Sequence, residues 1–574
     1  MVPANGLEML VSRGDPHAPV RLNMKRLRRL LAEETWEFAP HERSAMPGSP
    51  AAPEHPGPRR AAYGVIAVLV GLTGGLGNAL VSVNLTTLQG ALGLDPAQAA
   101  WLPTAYVMTN ASINLLLIKF RQQFGLRPFA MIFVALYALL TAAHLIVHGF
   151  WSAVVVRAAS GLAGAALSTL CSYYLMQMLP AKWRLKGLVL GVGVPQCATP
   201  LARLFSPDLL ALSQWRALYL FELGLALLSL AAVTWLRLPP TQRQPAFAPL
   251  DFVTFVLFGS AVALVAAVLG LGRFVWWFQA PWIGWALVAA IPLLAFGILI
   301  EHHRAAPLIN IRWLGSADIL RFIIVTTMAR IVLSEQTYAA VGLLNALGQT
   351  NDQLQTLFVI VSLASAAGVV ASAVTLNVDR LAQLVMLAIG LVAVAAYVDS
   401  LSTNLTRAPQ MYLTQGVIAF SGTFFLGPAL LFGMTRALPQ GAGHVISFMA
   451  LFGIVNGIGG LAGTAALGTY QIEREKAHSA AIVQTLEATD PIVVQRMGAG
   501  GGAVGRVLGD PSLRTAEGAA MLSQAASREA NVLAFNDVFR LISVLAALTT
   551  AYLGFLLVRQ RIRLRRAAMI GQPA

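Results

Sequence analysis

Fourteen times along its 574 residues the chain runs for about 20 residues with almost no charge. That is the length a helix needs to cross the hydrocarbon core of a bilayer. Lipid offers no partner to a free backbone N–H or C=O, so only helices and closed barrels span it. Barrel strands alternate in short segments, and these runs do not, so they are read as helices. The expected spans are 61–83, 98–118, 129–148, 150–177, 187–206, 215–236, 252–271, 282–300, 319–348, 354–376, 382–399, 410–434, 444–467 and 536–558. Charged residues make up 11% of the chain, against about 25% in a soluble domain. So little charge cannot cover a soluble surface, and a soluble enzyme is excluded.

The formal net charge of +15 would point to nucleic acid on a soluble protein. Here it follows topology instead. Arg59/Arg60, Lys119/Arg121/Arg127, Lys182/Arg184/Lys186, Arg237/Arg243, Arg304/Arg312 and Arg559 to Arg566 all fall on one set of span ends, while the opposite short loops hold only Arg273 and Arg407. Basic residues mark cytoplasmic loops, so both termini are expected in the cytoplasm and no nucleic acid is expected. The scarcity of lysine hints at GC-rich coding and a high-GC bacterium.

Residues 1–60 do not read as a signal peptide, because no apolar core follows the basic cluster Lys25–Arg29. They are expected to form a cytoplasmic tail, with a surface helix over Arg21–Trp36 and a Pro-rich linker over 47–58. Residues 560–574 form a basic cytoplasmic tail. The segment 468–535 is polar and lies on the outer side. It reads as two helices around a flexible Gly-rich hinge at 498–505. Glycine pairs at four-residue spacing, Gly71/Gly75, Gly187/Gly191, Gly453/Gly457 and Gly459/Gly463, permit close helix approach in lipid. Cys171 and Cys197 read as small packing residues. His302, His303 and His444 have no carboxylate at ligand spacing, so no metal or cofactor is expected.

Six charged residues fall inside spans: Arg157, Arg203, Arg216, Glu222, Arg330 and Glu335. Such residues are costly in lipid and are functional candidates by default. Glu222 is the one acid near three arginines in the first half. Either buried ion pairs lock these helices together, or a titratable Glu stands beside an anion-attracting arginine cluster; interfacial snorkelling of Arg203 and Arg216 is a third reading. Arg330 and Glu335 lie mid-span among Ser334, Gln336, Thr337 and Tyr338. Five residues apart on a helix, they point about 140° from each other and are expected to line a cavity or reach neighbouring helices. The buried charge, four arginines against two glutamates, is net +2.

Several motifs resemble those of the 14-helix drug:proton antiporters of the major facilitator superfamily, the EmrB/QacA type. IKFRQQFGLRP (118–128) is similar to the family's loop after span 2, keeping Gly125 and Arg127, with Ile118 and Gln122 where the family has Gly and Asp. RAASGLAG resembles the span-4 Arg-x-x-x-Gly pattern through Arg157 and Gly161. VPQCATPLARL resembles the span-5 antiporter motif through Pro195 and Pro200, with Arg203 at a glycine position. Trp215-Arg216, IGGLAGTA (458–465) and REANVLAFNDVF (528–539) match further blocks, and Ala79 stands near the position of the family's span-1 Asp.

The resemblance implies an all-α membrane protein with the major facilitator fold: 14 transmembrane helices in two six-helix bundles (61–237 and 317–559) plus an inserted helix pair (250–301). It implies proton-coupled efflux of amphiphilic small molecules across the bacterial inner membrane, with a periplasmic adaptor touching 468–535. Glu335 and Glu222, with Arg157 and Arg330 as charge partners, are the candidates for proton coupling. Arg203, Arg216, Gln336, Thr337 and Tyr338 are the candidates for the substrate cavity. Export of one anionic metabolite, or a non-transporting receptor or scaffold on the same fold, are the alternatives.

Overall fold

The structure, a computed structural model, describes residues 38–39, 42–44, 48–487 and 489–570; the expected helix over Arg21–Trp36 lies outside them. Helices α1 (Gly57–Val83), α2 (Leu85–Leu92), α3 (Pro96–Phe124), α4 (Leu126–His144), α5 (Phe150–Met178), α6 (Arg184–Gly193) and α7 (Ala198–Trp235) form one packed set. After the short α10 (Ile311–Leu314) come α11 (Ala317–Val332), α12 (Val341–Ala346), α13 (Gln355–Val374), α14 (Leu381–Asp399), α15 (Ala408–Ala437), α16 (Ala442–Gln484), α17 (Pro491–Ala503) and α18 (Pro511–Ile570), which form a second. Between the two sets in sequence, α8 (Pro249–Val275) and α9 (Pro281–His303) pack on each other, and α8 also lies on α3 and α16.

Twelve stretches among the described residues are long and apolar enough to cross a membrane. Two of them lie within the run from Ala181 to Trp235, parted at Gln214, whose φ of 51° breaks the helical path. The expected spans 98–118 and 319–348 are not among the twelve, yet both are helical. Asn110, Asn114, Lys119 and Arg121 make α3 polar, and Arg330, Glu335 and Gln336 do the same for the run from α11 to α12. A capping box at Asp95 and Gln98 starts α3, and Gly125, at φ 90°, ends it.

In lipid no hydrophobic force draws helices together, so close packing must hold them. The glycine pairs supply it. A Cβ on Gly75 would lie 2.5 Å from the Pro195 carbonyl oxygen, and one on Gly187 2.7 Å from that of Leu175. Gly459 and Gly463 likewise admit Arg330 of α11 and Ser334 just beyond its end. Gly453 and Gly457 have no such close neighbour, and Gly453 lines a cavity.

Both described chain ends lie at one face, rich in arginine, here termed the basic face. There Lys119 pairs with Asp251 at 2.5 Å, and Arg304 joins Asp251 at 2.9 Å to Glu301 at 2.7 Å. This chain of charges ties α3 to α8 and α9. The Pro-rich segment is docked here: Ala51 N–H donates to the Pro240 carbonyl at 3.0 Å, Gln177 Nε2 donates to the Ala51 carbonyl at 2.9 Å, and Arg184 holds the Ala52 carbonyl.

The opposite, hairpin face carries the extended ends of α16 and α18. The glycines read as a flexible hinge are instead mostly helical, in α17. They are there because two backbones meet: a Cβ on Gly501 would lie 2.5 Å from the Arg514 carbonyl oxygen, and one on Gly518 2.0 Å from that of Met497.

Candidate translocation site

A cavity of about 570 Å³ lies between the two helical sets. Its rim at the basic face includes Ala52, Arg184, Leu185 and Leu438, and its depth is marked by Asn110, Asn114, Pro195 and Asn456. Leu188, Leu426, Met434, Met449 and Phe452 give apolar walls. The ionisable side chains lining it are Arg43, Arg121, Arg184 and Tyr173; no carboxylate does so among the described residues. Arg121 lies over the rings of Tyr173 and Phe129, at 5.1 and 5.6 Å. Toward the hairpin face the halves meet: Arg203 Nη1 donates to Asn351 Oδ1 at 3.3 Å, and its guanidinium lies 5.2 Å from the Phe358 ring centre.

Beside this cavity each half buries a polar cluster. In the first, Arg157 is 1% exposed. Its fork donates to the carbonyls of Gly77 at 2.8 Å and Leu102 at 3.3 Å and to Asn78 Oδ1 at 2.8 Å, and it faces the Tyr106 ring at 4.8 Å. Glu222, also 1% exposed, accepts from Tyr137 OH at 2.6 Å and from Thr141 at 3.4 Å through Oε1. Glu222 Oε2 has no hydrogen-bond partner among the described residues. Arg157 and Glu222 thus share a pocket without forming an ion pair. Gly161 makes room for this crossing, since a Cβ there would meet Thr109 Oγ1 at 2.2 Å, and its carbonyl accepts from Asn110.

In the second half, Glu335 opens a π-helical turn, Glu335–Ala340, between α11 and α12. Such turns recur at functional sites. Glu335 is fully buried and points into its own half, where Gln415 Nε2 bridges its Oε1 at 3.0 Å to Asp399 Oδ2 at 2.9 Å. Thr414 donates to the other Asp399 oxygen at 2.6 Å, and Glu335 Oε2 is unpartnered among the described residues. Asp399 is a site residue that the sequence reading missed. It ends the apolar run LVAVAAYVD and passes for a loop boundary; the polar pair Thr414-Gln415 seven residues into α15 is the signal that another helix bonds it.

The structure disperses the other candidates. Arg330 lies against Gly459 and Gly460 of α16, and no ion pair joins it to Glu335. Gln336 donates to the Gln415 carbonyl at 3.0 Å, Thr337 is exposed, and Tyr338 contacts Gln471 at 3.3 Å and the Arg273 guanidinium at 5.0 Å. None of these three lines the cavity. Arg216 is exposed in the first turn of the span that begins at the helix break at Gln214, stacked on Trp215 at 5.0 Å, and does not line the cavity. Of the motif residues, Pro195 lines the cavity, while Gly125 ends α3 and Pro200 sits in the first turn of α7.

No match to a curated protein was found. Solved structures with similar folds include the human organic anion transporter MFSD10 (TETRAN), at 14% identity and TM-score 0.51 over 86% of this chain and 100% of that one. A structure from work on proton dependent oligopeptide transporters aligns at 12% identity and TM-score 0.55, covering 87% and 99%. Tetrameric PepTSo2 aligns at 11% and 0.54, covering 88% and 99%. At these identities the likeness concerns the fold. The family model of the Major Facilitator Superfamily matches residues 67–464, and with a fold of that class around a central cavity, this chain belongs to the Major Facilitator Superfamily.

Proposed function

We propose that the protein is a secondary active transporter that exports amphiphilic small molecules in exchange for protons. The observation that carries this reading is the cavity between the halves. Its walls are apolar, its depth holds three asparagines, and its charges are arginines without a carboxylate. Apolar surface with a few polar groups is what small-molecule sites present, and three lining arginines, one of which, Arg184, has the acids Glu54 and Glu42 acting on it, favour substrates with a negative group. That leans toward the organic-anion end of the substrate range. The two buried acid clusters are the proton-carrying groups in this reading, because neither is neutralised by a cation within bonding distance.

The finer assignments belong to the same proposal. Helix α3 and the run from α11 to α12 cross the membrane along with the twelve apolar stretches, giving fourteen spans, two six-helix bundles and α8–α9 as the inserted pair. The basic face is cytoplasmic, with both termini, in a bacterial inner membrane. Residues 468–535 then lie outside, where a periplasmic adaptor would meet them. Reporter fusions after residues 240 and 570 should read cytoplasmic and one near residue 500 external. Deleting 490–515 should abolish resistance in cells while sparing transport in proteoliposomes.

The decisive experiment is uptake into proteoliposomes with an imposed ΔpH, using anionic, neutral and cationic amphiphiles of similar size. Anionic probes should accumulate against their gradient, and Glu222→Gln combined with Glu335→Gln should abolish accumulation while downhill exchange persists. Accumulation by the double variant equal to wild type overturns the coupling assignment. Absence of any flux favours the receptor or scaffold reading.

A further inference from the structure

A second cavity, of about 260 Å³, opens at the basic face within the second half, away from the translocation cavity. It lies between α11, α14, α15 and the end of α18. Its walls are apolar, formed by Val325, Val385, Phe425 and Leu553 among others, and its rim carries Arg321, Arg436, Arg559 and Arg563 against one acid, Asp318. Asp318 pairs with Arg321 at 3.1 Å. Arg436 is held by its own helix: it stacks on Phe432 at 3.6 Å and donates to the Phe432 carbonyl at 2.9 Å. Arg559 and Arg563 are exposed, and no carboxylate pairs with them among the described residues. The rim therefore holds a surplus of three positive charges.

The matching place in the first half is closed. There the cavity between α4, α5 and α7 is only about 60 Å³. Two tyrosines bridge it to the chain leaving α7: Tyr63 donates to the Arg237 carbonyl at 2.9 Å, and Tyr174 to the Leu236 carbonyl at 2.7 Å. The second half has phenylalanines and aliphatic residues at its own cleft, and no side chain fills it among the described residues.

We infer that this cleft is a binding site for an anionic phospholipid of the leaflet at the basic face, with the headgroup phosphate on Arg436, Arg559 and Arg563 and one acyl chain against Val325, Val385 and Leu553. A small soluble anion would need the arginines but not the apolar walls. The lipid accounts for both. Its chain also has a route in, because α18 exposes Phe555 and Val558 beside the cleft, 61% and 56% accessible, as an apolar surface that faces the bilayer. Basic pockets between helices on this side of a membrane are suited to anionic headgroups.

The test reads binding and is independent of transport. Purified full-length protein is titrated with phosphatidylglycerol, phosphatidylcholine or inorganic phosphate, and bound lipid is counted by native mass spectrometry alongside thermal stability. Phosphatidylglycerol should bind at one copy and raise Tm, while phosphatidylcholine and phosphate do neither. Each arginine removed from the rim should weaken binding by about fivefold, as measured in Arg559→Gln, in Arg559→Gln/Arg563→Gln and in the triple variant with Arg436→Gln. Val385→Phe, which fills the cleft and leaves the charges, should also lose the lipid. Because Arg559 and Arg563 are exposed, their replacement leaves the fold intact. Equal binding of phosphatidylcholine, an equal Tm shift with phosphate alone, or retention of phosphatidylglycerol by the double variant or by Val385→Phe would each overturn the proposal.

Discussion

Arg157 shows how a charge is kept in a membrane protein without a counter-ion. Three oxygen acceptors from α1 and α3 meet its fork, and an aromatic face covers it. The planar guanidinium presents its donors in a fixed fork that matches several acceptors at once, where a lysine ammonium has fewer donors at a single point. Arg157→Met would take the donor from Asn78 Oδ1 and the second bond from the Gly77 carbonyl, at about 1–3 kcal/mol in all. Arg157→Lys should recover part of that loss. The measurement is thermal stability in detergent, with the order wild type, Lys, Met; a Met variant as stable as wild type would refute a stabilising role for these bonds. At this scale the sequence was informative about which residues matter and uninformative about their partners. Arg157, Glu222 and Glu335 stand out as charges in apolar runs. That Glu222 bonds Tyr137, and Glu335 shares Gln415 with Asp399, depends on helix rotation, which apolar runs on every face do not encode.

Among the elements, the helices were legible because lipid imposes their length, and the connections were not. The segment PGSPAAPEHPGP has no hydrophobic pattern, yet it docks through its backbone at the rim of the cavity. Its ring contact is His55, whose nitrogen lies 2.9 Å from Gln177 Oε1 and whose ring lies 4.7 Å from that of Tyr63. Burial lowers the His55 pKa from 6.5, the Gln177 bond opposes this, and Arg59, Arg184 and Arg60 lower it further. A docked value below the undocked one means that docking is fully supported above pH 6.5 and weakens as pH falls below it. A spin label at Glu54→Cys should therefore gain mobility between pH 7.5 and pH 5.5, and His55→Gln should remove that dependence. The Gly-rich stretch was misread for a different reason: glycine composition is the same for a floppy linker and for two helices in backbone contact. Gly518→Val should separate α17 from α18 and expose 485–510 to protease, with the melting of the membrane bundle unchanged.

For the whole molecule, the cavity and the closure are two ends of one device. At the basic face the halves are apart, and at the hairpin face they touch through Arg203, Asn351 and Phe358. The proposed export by alternating access would require the reverse arrangement as well, with one half rocking against the other around a midplane site. Arg203 stands where the sequence motif has a glycine, so this chain carries a bulky cation at the position where the two halves close. Its single polar bond, at 3.3 Å, and its ring contact are exchangeable contacts, strong enough to bias the equilibrium and weak enough to release. Losing a cation–π contact and a neutral-partner hydrogen bond removes about 1–3 kcal/mol from the closed state, which is a change of roughly five- to 150-fold in the ratio of the two states. Spin labels at Leu212 and Leu405, both exposed on the hairpin face in opposite halves, report the gap. In wild type a single short distance should dominate. Arg203→Ala should add a longer population, and Arg203→Lys should restore part of the short one through the ring contact. An unchanged distance distribution in the Ala variant would mean that closure rests on the apolar helix contacts alone.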